Sequence, residues 1–246
     1  MTTNVLDKRN SRVASDSRWS IQKGDELFYV DDTSFEKIVD RGQIVMICAG
    51  NAHLIRVWRD WFSNALTLPY PPTLVQLGNG KFDTIHLTIV VKEGFQTFFT
   101  RGEYANHGDD ARFAGSGRNH ANNCYSQHGC SDRCIATASM FDPCTGGRVN
   151  YVNFRDGATN LNYVDMSVDE LYQKLKTDGN VMNIRTKSQT KLSDLPADYL
   201  DNATASGAFA LSAPTGVPAQ EWTEQEHDEL TKAIQRIHQL EAAAND

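Results

Sequence analysis

The segment Gln43-Ile-Val-Met-Ile-Cys48 constrains this chain more than any other, because it is a nearly unbroken apolar run closed by Gly50. A strand with alternating polar residues can leave one face in water, whereas one that is apolar along its length is covered on both faces. From Asn51 the period changes. Leu54, Ile55, Trp58, Trp61, Phe62, Ala65 and Leu66 recur at steps of three and four before Pro69, which predicts an amphipathic helix with an aromatic face. The tryptophans are read as packing against a sheet rather than as a ligand platform.

Further elements follow from the same periodicities. Residues 2–6 and 12–16 form two strands of a hairpin around the polar run Asp7-Lys8-Arg9-Asn10-Ser11. Residues 26–30 read as a strand, and residues 83–91 and 95–100 as a pair joined at Lys92-Glu93-Gly94. A short strand, 111–114, runs into Gly115-Ser116-Gly117. A helix is expected over 131–140, a turn over 142–147 and an alternating strand over 148–154.

Ser167 and Glu170 have the spacing of a capping box opening a helix to about Lys176. Residues 186–220, rich in Ser, Thr, Ala, Asp and Pro, read as an extended linker or loosely packed arm. A last helix is expected from Thr223 to about Ala244, capped by Thr223 and Glu226. Its apolar stripe of Leu230, Ile234, Ile237 and Leu240 suits docking on its own domain or on a neighbouring subunit equally. The expected organisation is thus a domain over 2–185, an arm over 186–220 and a C-terminal helix over 221–246.

The formal net charge of −7, with Lys and Arg scattered along 246 residues, excludes a sequence-independent nucleic-acid binder, which needs a concentrated basic face. No apolar run approaches the roughly 18 residues of a membrane span, and the start lacks a basic-then-apolar leader, so a cytoplasmic protein with neither nucleic-acid nor membrane partner is expected. Five cysteines, an odd number, suit reduced thiols better than a disulfide framework. No internal repeat or phosphate loop is present, and no cofactor is expected.

The chemistry begins at Thr2. Removal of Met1 would make it an N-terminal residue with both a hydroxyl and a free α-amine. The amine, with an ordinary pKa of about 7.7–8.0, can take the hydroxyl proton near neutral pH. Other segments join it: Val13-Ala14-Ser15-Asp16-Ser17-Arg18, Gly50 before the long helix, Gly115-Ser116-Gly117, and Asp142-Pro143-Cys144-Thr145-Gly146-Gly147.

In these segments and in the order of its elements, the chain over residues 2–165 resembles proteasome β-type subunits and the bacterial heat-shock protease subunit, within the N-terminal-nucleophile hydrolases. The resemblance implies an α/β (α+β) fold, a four-layer αββα sandwich, here with a C-terminal helical extension. It implies a threonine peptidase or amidase acting on polypeptide inside a ring of identical subunits, with an unfoldase as a further partner. By that carry-over Thr2 is the nucleophile, Asp16 orients and stabilises charge beside it, and the Gly50 N–H is the oxyanion donor. Ser116, Asp142 and Thr145 then hold the Thr2 amine.

The family also has a lysine beside the threonine hydroxyl. Its expected position falls near Ser34, where no lysine stands. Lys37 is three residues on, an odd offset that along a strand points to the opposite face, and Lys23 lies in a loop. That gap admits a second reading, a proteasome-like scaffold that forms rings without hydrolysis. Two smaller departures are a first hairpin two residues shorter than the family's and a shortened segment between Ser116 and Asp142, which predicts that one of two stacked helices is truncated.

Other sharp readings carry less. His120, Cys124, His128, Cys130, Cys134 and Cys144 have zinc-ligand chemistry but no Cys-x2-Cys knuckle, so Cys130 and Cys134 are read as a helix pair. Asp31-Asp32 and Asp109-Asp110 are read as solvated turns rather than a divalent-metal site, and Cys48 as a core residue rather than a nucleophile.

Overall fold

The computed structural model describes residues 2–64, 66–162 and 164–243. Met1, Ala65 and Ala244, which figure in the sequence reading, lie outside the described residues. The first half of the chain gives β1 (Asn4–Asp7), β2 (Arg12–Asp16), β3 (Trp19–Lys23), β4 (Glu26–Val30), β5 (Ile38–Arg41), β6 (Ile44–Asn51), α1 (Ala52–Asn64), β7 (Leu74–Gln76), β8 (Phe82–Val91), β9 (Gln96–Arg101), β10 (Tyr104–His107) and β11 (Ala111–Ala114). The second half gives α2 (Arg118–His128), α3 (Ser131–Phe141), β12 (Val149–Asn153), α4 (Val168–Asp178), β13 (Asn180–Asn183), β14 (Gln189–Lys191), α5 (Tyr199–Thr204), β15 (Ser212–Ala213) and α6 (Glu224–Ala243).

The result is a mixed α+β fold with two antiparallel sheets. The smaller runs β10-β11-β1-β2-β12, and the larger runs β14-β13-β4-β3-β15-β6-β8-β7, with β5 also beside β6 and β9 beside β8. The central strand β6 is buried at all eight positions, as an apolar run requires. Its alternate residues serve two cores. Val45 and Ile47 meet Leu6, Val13 and Val152 of the smaller sheet, while Met46 and Cys48 face Trp58 and Phe62 of α1. A third core packs Val5, Ala14 and Phe113 of the smaller sheet against Ala121, Tyr125, Cys134, Ile135 and Ala138 of α2 and α3.

The aromatic face of α1 is core. The Trp58 ring lies 5.1 Å from Trp61, 5.9 Å from Tyr70 and 5.6 Å from Trp222. Both α1 indoles are satisfied, Trp58 Nε1 donating to the Pro72 carbonyl at 2.8 Å and Trp61 Nε1 to that of Thr67 at 2.7 Å.

Two expectations change, and one choice left open is decided. The first concerns 186–220, which is no loose arm: β14 extends the larger sheet, α5 buries Leu200 and Ala203, and β15 stands between β3 and β6. Its polar composition conceals this because only a few apolar residues, Leu192, Leu200, Ala203, Leu211 and Ala213, carry the burial. In addition, the shortening between Ser116 and Asp142 falls on no single helix, since α2 and α3 have 11 residues each. Finally, α6 docks on its own chain, burying Leu230, Ala233, Ile234 and Ile237 against the core that holds α1. Thr223 and Glu226 form the reciprocal cap at its start.

Truncating Leu230 or Ile237 to alanine is therefore expected to destabilise the monomer by about 2–5 kcal/mol. Urea unfolding checks this, and a loss below about 0.5 kcal/mol would contradict the docking.

Candidate active site

Pairing of β1 with β2 sets Asn4 opposite Ser15 and thereby brings the start of the chain alongside Asp16. The backbone locks the approach, the Asp16 N–H donating to the Thr3 carbonyl at 3.2 Å and the Gly117 N–H to the Thr2 carbonyl at 3.3 Å. Gly115, at φ 83°, passes so close that a Cβ there would stand 2.0 Å from the Thr2 carbonyl oxygen. Only glycine suits both that torsion and that contact.

The Thr2 hydroxyl donates to Asp16 Oδ1 and accepts from Lys37 Nζ at 2.7 Å, and Lys37 also donates to Asp16 Oδ1 at 3.0 Å. Asp16 is further filled by the Thr3 N–H on Oδ1 (2.9 Å) and by the Arg18 and Gly146 N–H groups on Oδ2 (3.1 and 3.2 Å). Thr2 and Asp16 are wholly buried, and Lys37 is 1% exposed. Burial pushes the Lys37 pKa below that of an ordinary lysine, against the opposing pull of Asp16. A hydroxyl held between an ammonium and a carboxylate is polarised for proton loss.

Lys37 corrects the expectation that no lysine serves this site. Residues 31–37 are irregular, Asp32 at φ 58°, and β5 begins only at Ile38, so Lys37 lies in a bend where strand alternation does not govern direction. Its carbonyl accepts from Cys48 N–H at 2.8 Å, which fixes the bend against β6. Ser34 instead accepts from Asn162 Nδ2 at 3.0 Å, and Lys23 is exposed.

A second network adjoins the first. Ser116 Oγ and Thr145 Oγ1 each donate to Asp142 Oδ2 at 2.7 Å, and Thr145 Oγ1 is 2.9 Å from Thr3 Oγ1. Thr3, to which the sequence reading gave no role, is thus the link between the two networks. Arg18 ties the turn down: it forms a two-pronged ion pair with Asp31 (2.8 and 2.7 Å) and donates to the Pro143 carbonyl at 2.6 Å. Asp32 accepts from Ser17 Oγ and the Arg148 N–H at 2.7 and 2.6 Å. Asp32 is exposed and Asp31 half-buried, so the pair meets solvent while also holding Arg18, Ser17 and the Arg148 backbone in place.

Gly50 lies inside β6 rather than in a turn, at φ 125°, opposite Ile85 on one side and Ala213 on the other. A Cβ there would stand 2.1 Å from the Thr84 carbonyl oxygen. Asn4 Nδ2, donating to the Cys48 carbonyl at 3.0 Å, joins this end of β6 to β1.

Among the described residues no group of three or more His, Cys, Asp and Glu side chains could hold a metal ion. Cys124 and Cys134 pack between α2 and α3, Cys144 packs with Leu27, Tyr29 and Met182, and burial pushes the Cys48 thiol up to about 12. No helix among them is long and apolar enough to cross a membrane.

No family model and no curated protein matches the chain. It is similar to a solved structure, Thiobacillus denitrificans BPH in complex with epoxomicin. The identity is 14%, covering 61% of this chain and 96% of that one, with a TM-score of 0.42.

Beside Lys37, buried Glu36 accepts from the Asn162 N–H at 2.6 Å and faces Arg148 Nη2 at 3.5 Å. Burial outweighs these partners and raises its pKa from 4.5 to about 7. Between those values the folded chain holds a proton that the unfolded chain has released, so stability falls as pH rises through that window. Glu36→Gln keeps an acceptor for Asn162 without the charge. Thermal unfolding from pH 4 to 8 is expected to show the variant gaining on the parent by on the order of 2 kcal/mol toward pH 8. A constant difference across that range would refute the assignment.

Proposed function

We propose that the chain is an N-terminal threonine peptidase or amidase of the proteasome type, with Thr2 as nucleophile once Met1 is removed. The observation that carries the reading is the Thr2 hydroxyl held between Lys37 and Asp16. The three cores, one between the sheets and one on each outer face, support a four-layer αββα arrangement.

In the proposed reaction the Thr2 hydroxyl proton passes to the freed α-amine while Oγ bonds to a peptide carbonyl carbon, the Lys37 ammonium stabilising the charge that develops on Oγ. The oxyanion is taken by the Gly50 N–H, the C–N bond breaks, and the transferred proton goes to the leaving amine. Water then hydrolyses the Thr2 ester, restoring the hydroxyl. Ser116, Asp142 and Thr145 orient the amine through the hydroxyl network that reaches Thr3. Within this reading the substrate is polypeptide and the working form a ring of identical subunits, with an unfoldase supplying the substrate. The non-hydrolytic scaffold loses one of its two supports, the missing lysine, and keeps the other, the added C-terminal helix.

The test begins with intact mass, where loss of Met1 is expected. Protein lacking Met1 should then react with an electrophile directed at N-terminal threonine, Thr2→Ala should not, and Lys37→Ala should react on the order of 10²-fold more slowly. Retained Met1, or equal labelling of parent and Thr2→Ala, would overturn the reading. Light scattering of the same samples tests the ring, which a monomer mass would exclude.

A further inference from the structure

The larger sheet is continuous only because of two residues. β3 and β6 pair with β15 and not with each other, through Ser212 opposite Ser20 and through Ser212 and Ala213 opposite Asn51 and Gly50. The Ala52 N–H donates to the Leu211 carbonyl at 2.9 Å, extending the contact by one residue. Pro214 follows at once, and a residue without an N–H ends the pairing there.

This short strand stands where the candidate chemistry lies. Along one edge of β6, β5 pairs as far as Ile47 and the Lys37 carbonyl takes the Cys48 N–H. The next positions on that edge, Gly50 and Asn51, belong to β15. The segment then turns at Gly216, φ 78°, where a Cβ would stand 2.7 Å from Ser116 Cα. A single stretch thus covers Gly50 at one end and Ser116 at the other. The buried Ser20 hydroxyl, opposite β15, has no hydrogen-bond partner. Upstream, residues 205–207 are exposed, and residues 207 and 209–211 border a cavity of about 360 Å³ whose wall includes Ile21 and Asn51 on either side of the slot.

We propose that residues 211–217 are a built-in occupant of the slot between β3 and β6, and that an extended polypeptide binds by displacing them and pairing with both strand edges. The inference rests on the reading of Thr2 as nucleophile for its consequence, which is self-inhibition, but not for the binding itself. Two strand edges with one gap between them present backbone donors and acceptors to any extended chain, which is how strand addition recognises peptide. The resident strand pairs at only two residues, with Leu211 and Ala213 buried. A competitor that pairs over more residues on both edges displaces it, with an apparent affinity equal to the intrinsic one multiplied by the open fraction.

The test uses two opened forms of the full chain. Ala213→Pro removes a strand N–H, and a site-specific protease sequence inserted between Ser206 and Gly207 permits a nick upstream of β15 while α6 stays docked. Binding of a fluorescein-labelled, proline-free decapeptide is measured by anisotropy in the Thr2→Ala background. Labelling by the same peptide ending in a vinyl sulfone is measured with Thr2 present and Met1 lost. Each opening is expected to raise peptide affinity on the order of tenfold or more and to speed hydrogen exchange across residues 48–52. Labelling should rise in parallel. Unchanged affinity in both opened forms overturns the proposal, and the nicked form decides alone if Ala213→Pro does not fold. Raised affinity without labelling upholds the slot and overturns the nucleophile.

Discussion

A lysine and an aspartate taken completely out of water hold this structure to a narrow geometry. Removing a charge from solvent costs several kcal/mol, and the cost is recovered only when each charge meets its counterpart and the remaining hydrogen-bonding positions are filled. Here they are filled from several directions: Asp16 takes Lys37, the Thr2 hydroxyl and three backbone N–H groups, from Thr3, Arg18 and Gly146. Those donors come from separate stretches of chain. The first hairpin, the bend before β5 and the turn at 142–147 are obliged to converge, because failure of any one leaves a buried charge short of partners.

The convergence explains the placement of small residues. Gly115 leaves room for the Thr2 carbonyl, and a Cβ at Gly117 would stand 2.1 Å from Thr3 Oγ1. At Gly146 a side chain would strike the Arg18 guanidinium, which is itself fixed by Asp31 and stacked 3.8 Å over the Tyr29 ring. These glycines are less hinges than clearances, needed because two sheets and a turn meet around one carboxylate.

The regular elements were legible in the sequence because periodicity reports burial directly. β6, α1, α4 and α6 emerged near their observed bounds, and both capping boxes stand where Ser167-Glu170 and Thr223-Glu226 placed them. Thr2, Asp16, Ser116, Asp142 and Thr145 could be singled out from local motifs, and the structure brings them together. Lys37 could not. Assigning its direction meant counting through an irregular stretch, where alternation has no force; a lysine between Glu36 and Ile38, just ahead of β5, was the available signal. β15 was hidden for another reason, since two residues ahead of a proline give no period to read. Its partners are some 160 to 190 residues away in sequence, and only the assembled sheet reveals them.

That sequence separation also bears on synthesis. Chains emerge from the ribosome in order, and β15 is the last of the described strands to be made. Without it, β3 and the Gly50–Asn51 end of β6 would lack a neighbour, and an unpaired strand edge invites association with other chains. The smaller sheet, complete by residue 153, has no such delay. In chain order, therefore, every strand of the sheet that holds the Thr2 end precedes the strand that closes the seam between β3 and β6.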